Sequence, residues 1–452
     1  MFYIWGFFME NKLELISPKG RVRGGIEPGH FKNTADSETL IMPAPKTVCI
    51  PMQQHIGAPC LPTVSVGDEV FVGTKIGDID RLVSAPIHSS VSGKVTAIKE
   101  VTLSGGGKST AVIIENDGKD TPNPDLKPPT VENEEQLLEA VRESGLVGLG
   151  GAGFPAHVKL KKQEDKPLDT LIINGAECEP FITADYRECL ENTDDILRGV
   201  YLLLEIMDFE RVIIAVEDNK PEAIRTMYDV ISNERDKENR VRLMKIKTHY
   251  PQGAEKVLIH TATGRKLGLG KLPADVGCVV MNITSVSTIG KYLKTGMPLT
   301  RKRITVDGDI VKNPGNISVP LGATVNDVIE FCGGLNSKAS KIILGGPMMG
   351  AAIADTCVPI LKQNNAILAF SEETAKMSEP SPCIRCGRCA NACPMHLSPF
   401  HIAAAIQAGD IDEVDKLYAN YCMECGCCSY SCPSKRPIVE TMRRAKALLK
   451  NR

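Results

Sequence analysis

Eight of the sixteen cysteines stand in two copies of one run, Cys383-x2-Cys386-x2-Cys389-x3-Cys393-Pro394 and Cys422-x2-Cys425-x2-Cys428-x3-Cys432-Pro433. Three thiolates at this spacing wrap one side of an iron-sulfur cubane while a fourth arrives from a distance, so the pair of runs predicts two [4Fe-4S] clusters on loops folded against each other. In two-cluster proteins the fourth cysteine of each run serves the other cluster. The predicted ligand sets are therefore Cys383, Cys386, Cys389 and Cys432 for one cluster, and Cys422, Cys425, Cys428 and Cys393 for the second. Structural zinc takes two Cys-x2-Cys pairs rather than a packed run twice over. Cys49, Cys60, Cys178, Cys189, Cys278, Cys332 and Cys357 read as small buried hydrophobes. Cys427 adjoins a ligand, and a ligand role for it stays open.

The 452 residues allow three or more domains at ~100 to 200 residues each. A net charge of −2 without any basic block lacks the electrostatic footprint of a nucleic-acid binder. Free thiolate ligands require a reducing, cytosol-like compartment. No apolar run approaches the ~18 to 20 residues of a spanning helix. The opening Phe2-Tyr3-Ile4-Trp5-Gly6-Phe7-Phe8 is aromatic, yet it lacks the basic flank and cleavage site of a signal peptide. It reads as an upstream mis-set start, with an interfacial anchor as the alternative.

The pattern predicts an α/β multidomain chain. After an N-terminal tail (1–40), residues 41–118 hold short β-type runs punctuated by glycine and proline, the pattern of a small all-β module. Val64–Val70 and Ala85–Val95 resemble the halves of a biotinyl/lipoyl-like barrel-sandwich domain; Asp78-Ile79-Asp80-Arg81 stands where that family carries its modified lysine, which implies scaffold and not swinging arm. A proline-rich linker (121–129) follows. Residues 134–298 then alternate helix and strand patterns, with helices near 134–144 and 221–233 and strands at 170–173, 211–216 and 278–281; such alternation predicts an α/β layered domain. Residues 299–371 resemble a β-grasp, soluble-ligand-binding module with a helix at 324–331. The cysteine runs lie in 380–452, where alanine-rich 399–418 has helical periodicity, so a helical two-cluster domain is expected.

Gly148-Leu149-Gly150-Gly151-Ala152-Gly153 satisfies G-x-G-x-x-G, but a helical pattern precedes it, and Ile173 and Asn174 stand where a Rossmann site needs its acid. What survives is physical: glycines let backbone amides approach a phosphate closely, with Lys159 as a nearby cation. Ser104–Ser109 imitates the end of a P-loop, but Thr102 occupies the place of the first glycine.

Gly145–Pro155 resembles the flavin loop of the NADH-oxidising flavoprotein subunit of respiratory complex I, and further matches follow in the same order. Lys159 falls on that family's lysine after Phe-Pro; Asn174–Pro180, with Glu177 and Glu179, resembles its Asn-x-x-Glu-x-Glu-Pro. Tyr250–Glu255 resembles its Tyr-x-x-Gly-x-Glu, and Asn282–Ser285 its Asn-Val-Glu-Thr. The resemblance implies that Gly148, Gly151, Lys159, Asn174 and Asn282 hold FMN noncovalently, and that Phe154, Glu177, Glu179 and Glu255 line the approach of NAD(H). Gly150, Gly153, Tyr250 and Gly253 complete the implied cofactor-binding set. Leu149 replaces an arginine and Ala176 an acid, which shifts phosphate binding towards backbone amides and Lys159.

The order of modules resembles the C subunit of the Rnf electron-transport complex over nearly the whole chain. Gly345–Gly350 matches another segment of it, while Glu27 departs from its Gly-Gly-x-His-Pro. The resemblance implies hydride exchange between NAD(H) and FMN without a catalytic side-chain acid or base, and single-electron transfer through the clusters. It also implies the other Rnf subunits as partners and the cytoplasmic face of the membrane as location. A cobalamin reductase, the flavin subunit of a soluble NAD-linked hydrogenase, or a non-catalytic iron-sulfur wire are the rival readings.

Overall fold

The computed structural model describes residues 15–162, 165–233 and 239–451; the aromatic opening segment lies outside them. Two small antiparallel sheets form the first module. One has the order Thr47–Pro51, Lys108–Asn116, Gly93–Thr102, Glu69–Val70; the other runs Leu61–Pro62, Lys75–Asp78, Ile87–His88. Val48, Ile50, Val112 and Ile114 alternate along their strands and meet Ile76, Ile87 and Val91 in one core. Ser104–Gly107 is only the turn between the two long strands, closed by the Leu103 amide on the Gly107 carbonyl at 2.8 Å. Asp78 is bound by Arg142 at 2.6 Å, which fastens this module to the next.

The second module is a four-stranded parallel sheet, ordered Val241–Ile246, Arg211–Glu217, Thr170–Gly175, Cys278–Asn282. Its strands are nearly continuous apolar runs because both faces are covered. Leu171, Ile173, Val212 and Ile214 face the helices Thr193–Met207 and Ile283–Thr295, whereas Ile172, Ile213 and Ala215 face Glu255–Thr263. The first two helices meet backbone to backbone: a Cβ on Gly290 would stand 2.0 Å from the Asp195 carbonyl oxygen, and one on Gly199 2.2 Å from that of Val286.

A six-stranded sheet follows, ordered Thr39–Ile41, Gly315–Pro320, Arg301–Asp307, Ala366–Phe370, Lys341–Leu344, Ala351–Ile353. Its helix Val325–Phe331 starts with a capping box between Thr324 and Asp327. The edge strand Thr39–Ile41 comes from the far end of the chain. The segment expected as a tail is a strap: Ile16 bridges Met244, Ile26 bridges Tyr250, and the Gly25 amide donates to Ala392 at 2.9 Å.

The last module is helical. The periodicity over 399–418 resolves into two helices, Pro399–Ala408 and Ile411–Lys416, because Gly409 takes φ +72° and the Asp410 carboxylate caps the second helix. Among the described residues no helix is long and apolar enough to cross a membrane.

Candidate functional site

Asn174 and Asn282 are register partners at the carboxyl ends of adjacent parallel strands, where open α/β sheets bind ligands. The Asn282 carbonyl oxygen caps the helix Ile283–Thr295 by accepting from the amides of Thr284 (3.0 Å) and Ser285 (3.3 Å), and its amide donates to Asp185 at 2.6 Å. Asn174 donates to the Gly253 carbonyl at 2.8 Å and accepts from the Ala176 amide at 3.0 Å. A Cβ on Gly253 would stand 2.3 Å from the Ala176 carbonyl, so glycine alone fits that crossing.

The glycine loop closes on itself, Gly148 N–H to the Phe154 carbonyl at 2.8 Å and Gly153 N–H to the Gly148 carbonyl at 3.1 Å. It is tied to the capped helix by the Leu149 amide on Ser285 Oγ, 3.0 Å. Leu149, in place of the expected arginine, is buried in the apolar core and so anchors the loop instead of offering a cation. Gly150 lies against Asn282, and Gly151, at φ +114°, opens onto space that no neighbour fills. Half-buried Phe154 ends the loop. Lys159, on the short helix Ala156–Leu160, is ion-paired with Glu255, the first residue of the next helix along the rim. Side-chain-free backbone, one cation and two amide side chains at strand ends fit a phosphorylated flavin: Gly148, Gly150, Gly151, Gly153, Lys159, Asn174, Gly253, Glu255 and Asn282 converge here.

Three predicted residues take other places. Glu177 is buried and accepts from the amides of Asp185 (2.8 Å) and Tyr186 (3.3 Å), capping the helix Ala184–Glu191 behind the site. Burial pushes its carboxyl group up, against the pull of Lys32. Glu179 accepts from the amides of Met348 (3.1 Å) and Met349 (2.9 Å), so it docks the Gly345–Gly350 turn of the third module. Burial pushes its carboxyl up to about 7 while those amides oppose the shift. Tyr250 is buried, with its hydroxyl donating to the Cys425 carbonyl at 2.8 Å. Residues that motif spacing missed include Asp185 and Lys32. Lys32 comes from the strap and donates to the carbonyls of Glu177 (2.8 Å), Glu179 (2.8 Å) and Ile182 (2.5 Å); burial pulls its ammonium down to about 8. Glu27, the departure from the expected histidine, pairs with Lys247 at 2.8 Å.

The two cysteine runs repeat one backbone. Arg385 and Glu424 take φ +53° and +58°, Gly387 and Gly426 +74° and +77°, His396 and Lys435 +54° and +52°. In each run an amide two residues on points at the first sulfur, Arg385 to Cys383 and Glu424 to Cys422, both at 3.4 Å. Such bonds to sulfur tune cluster potential. One hollow is lined by Cys383, Cys386, Cys389 and Cys432, the other by Cys393, Cys422, Cys425 and Cys428. Each hollow thus combines three thiols of one run with the fourth of the other. Among the described residues no group of three or more His, Cys, Asp or Glu is placed to hold a single metal ion; four thiols in each crossed set are the ligand number of a cubane. Cys427 also lines the second hollow and is buried. That hollow faces the flavin module through Tyr250, whereas Cys383 and Cys386 are exposed.

A parallel sheet with a glycine loop at its ligand end, coupled to two four-thiol hollows, defines the class of flavin and iron-sulfur electron-transfer subunits. Residues 141–291 match the Nuo51 FMN-binding domain, 20–119 the RnfC barrel sandwich hybrid domain, 303–352 the SLBB domain and 382–435 the 4Fe-4S dicluster domain. The C subunit of the Na(+)-translocating ferredoxin:NAD(+) oxidoreductase complex of Acetobacterium woodii is 42% identical, covering 94% of this chain and 96% of that one. The C subunit of the proton-translocating complex of Clostridium ljungdahlii is 44% identical over 88% of this chain and 86% of its own, and that of the Rhodobacter capsulatus ion-translocating complex is 37% identical over 95% and 83%. The chain belongs to this family of C subunits of ion-translocating oxidoreductase complexes. Its fold is also similar to a chain of an NAD+-reducing [NiFe]-hydrogenase, with a TM-score of 0.51 and 18% identity; 70% of this chain is covered, and it spans 63% of that one.

Proposed function

We propose that this chain is the nicotinamide-facing subunit of a membrane-bound, ion-translocating ferredoxin:NAD+ oxidoreductase, carrying FMN and two [4Fe-4S] clusters. The observation that carries this is the joining of the glycine-loop site to the two crossed-thiol hollows within a chain 42% identical to a named C subunit over nearly its full length. When bound, FMN supplies the interchange between hydride and single electrons, and the clusters carry those electrons one at a time. The protein's part is position. The free backbone of Gly150–Ala152 and the ammonium of Lys159, held by Glu255, would hold the phosphate of a bound flavin, and Asn174 and Asn282 fix the strand ends of that site. Glu177 and Glu179 shape the adjoining loop from behind. Tyr250 holds the hollow of Cys393, Cys422, Cys425 and Cys428 next to the flavin module, and the hollow of Cys383, Cys386, Cys389 and Cys432 faces outward as the exchange point. Thiolate ligands need a reducing compartment, which supports a peripheral place on the cytoplasmic face, held by the other subunits of the complex.

The test is anaerobic purification with acid-released flavin, iron and sulfide analysis, followed by NADH reduction of an artificial acceptor. FMN, about eight irons from two cubanes and copurifying membrane subunits are expected. A chain that takes up no flavin from excess FMN ends the enzyme reading and leaves a wire.

A further inference from the structure

We propose that Gln363, a residue of the third module, recognises the carboxamide of NAD(H) at the flavin site. The proposal rests on the reading of this chain as the nicotinamide-facing subunit and adds a residue that sets its specificity. Two other modules hold the base of the flavin loop. Ile56 of the first donates its amide to the Gly153 carbonyl at 3.0 Å. The turn 361–364 of the third, closed by the Leu361 amide on Asn364 Oδ1 at 2.8 Å, reaches the loop twice. Lys362 donates to the Gly145 carbonyl at 2.6 Å, where the loop begins. Gln363 lies along the last glycine of the loop: a Cβ on Gly153 would meet its Cβ at 3.5 Å and its Cγ and Cδ at 3.8 Å. The Lys362 amide, on Gln54 Oε1 at 3.3 Å, ties this turn to the first module as well.

One atom of that side chain is left over. The carboxamide oxygen of Gln363 is buried and has no hydrogen-bond partner among the described residues. A buried acceptor without a donor is costly, and a ligand that brings the donor recovers that cost. Position selects the ligand group. The flavin phosphate belongs at the open backbone of Gly150–Ala152, beside the helix that Asn282 caps, and a phosphate has no N–H to give. Gly153 stands at the other end of the loop, next to Phe154, which the flavin-loop resemblance sets on the approach of NAD(H). The nicotinamide ring carries a carboxamide whose amino group donates. An amide-to-amide pair there fixes how the ring is turned, and hydride exchange requires one orientation over the flavin. A site with such an acceptor rejects an analogue that lacks the donor.

The experiment titrates the oxidised, FMN- and cluster-loaded chain by anaerobic calorimetry with NAD+ and with its acetylpyridine analogue, in which a methyl group replaces the amide nitrogen. Wild type should bind NAD+ about tenfold more tightly than the analogue. Gln363→Leu should bind the two equally, with FMN content and melting temperature unchanged. Gln363→Glu keeps an acceptor and should restore the preference. Gln363→Met, of like length, takes the place of the leucine variant if that one does not fold. A wild-type chain that binds neither nucleotide would overturn the nicotinamide reading, and this proposal with it. The proposal alone falls if wild type binds both equally, if the preference survives in the leucine variant, or if the glutamate variant loses it. Loss of FMN from the leucine variant would also overturn it, by making Gln363 a support of the flavin.

Discussion

Lys32→Met removes the cation that bonds three carbonyls of the 177–182 loop. Its ammonium donates to three carbonyls at 2.8, 2.8 and 2.5 Å, and hydrogen bonds from a charged donor are worth about 1.5 to 3 kcal/mol each. Desolvation works against that sum: the fall in its pKa from 10.5 to about 8 corresponds to about 3 kcal/mol. The net loss is then about 2 to 6 kcal/mol, applied locally. Methionine keeps the stem's packing but leaves the carbonyls without that donor. The Asp185 and Tyr186 amides, which rest on Glu177, report the opening. Their hydrogen exchange should quicken about 30-fold or more, and FMN affinity should fall because Asp185 also holds Asn282. Exchange at these amides and FMN affinity both equal to wild type would refute the clamp.

Cys432→Ala should impair the cluster of Cys383, Cys386 and Cys389, read by electron paramagnetic resonance; loss confined to the cluster of Cys422, Cys425 and Cys428 would contradict the crossing. Glu255→Gln should weaken NADH-dependent reduction of an artificial acceptor by about tenfold through its partner Lys159, with FMN content near wild type. Equal loss of flavin would mark it as structural. Lys362 is buried and donates to Pro86 and Gly145 carbonyls at 2.6 Å each, with burial pulling its pKa to about 7. Between that value and 10.5 the unfolded chain binds the proton more strongly, so wild-type stability should rise with pH across this window. Lys362→Met should lack that rise, as melting curves at about pH 6.5 and about pH 9 would show.

The cysteine runs were legible because a cubane's ligands are local in sequence and their spacing is dictated by cluster size. Three of the four parallel strands were legible as apolar runs, and the helix over 324–331 from its pattern; the strand Val241–Ile246, broken by Arg242 and Lys245, was not. Lys32, Tyr250 and Glu179 were not. Their partners are backbone atoms more than a hundred residues away, in other modules, and a carbonyl or amide leaves no signature in a sequence. The strap over 15–41 has neither helical nor alternating periodicity, since each of its residues answers to a different neighbour. Glutamates at a flavin motif read as solvent-facing from their charge, yet Glu177 is buried because a helix amino terminus supplies the amides that make burial tolerable.

Contacts between modules of one chain permit relative motion unless the interface is large and apolar. Here polar side chains cross the boundaries to backbone atoms: Lys362 to the first two modules, Glu179 to the turn of the third, and Tyr250 to a cluster ligand of the fourth. A buried hydrogen bond is directional, and breaking it strands a desolvated group. Such bonds therefore favour one relative placement over its sliding alternatives, where apolar packing alone would accept several. Electron transfer between flavin and cluster depends on a fixed separation, while hydride exchange at the flavin does not involve the fourth module at all. Side chains at the boundaries thus set the step between the cofactors: substitution of Tyr250 should leave hydride exchange intact and slow only the passage of electrons to the clusters.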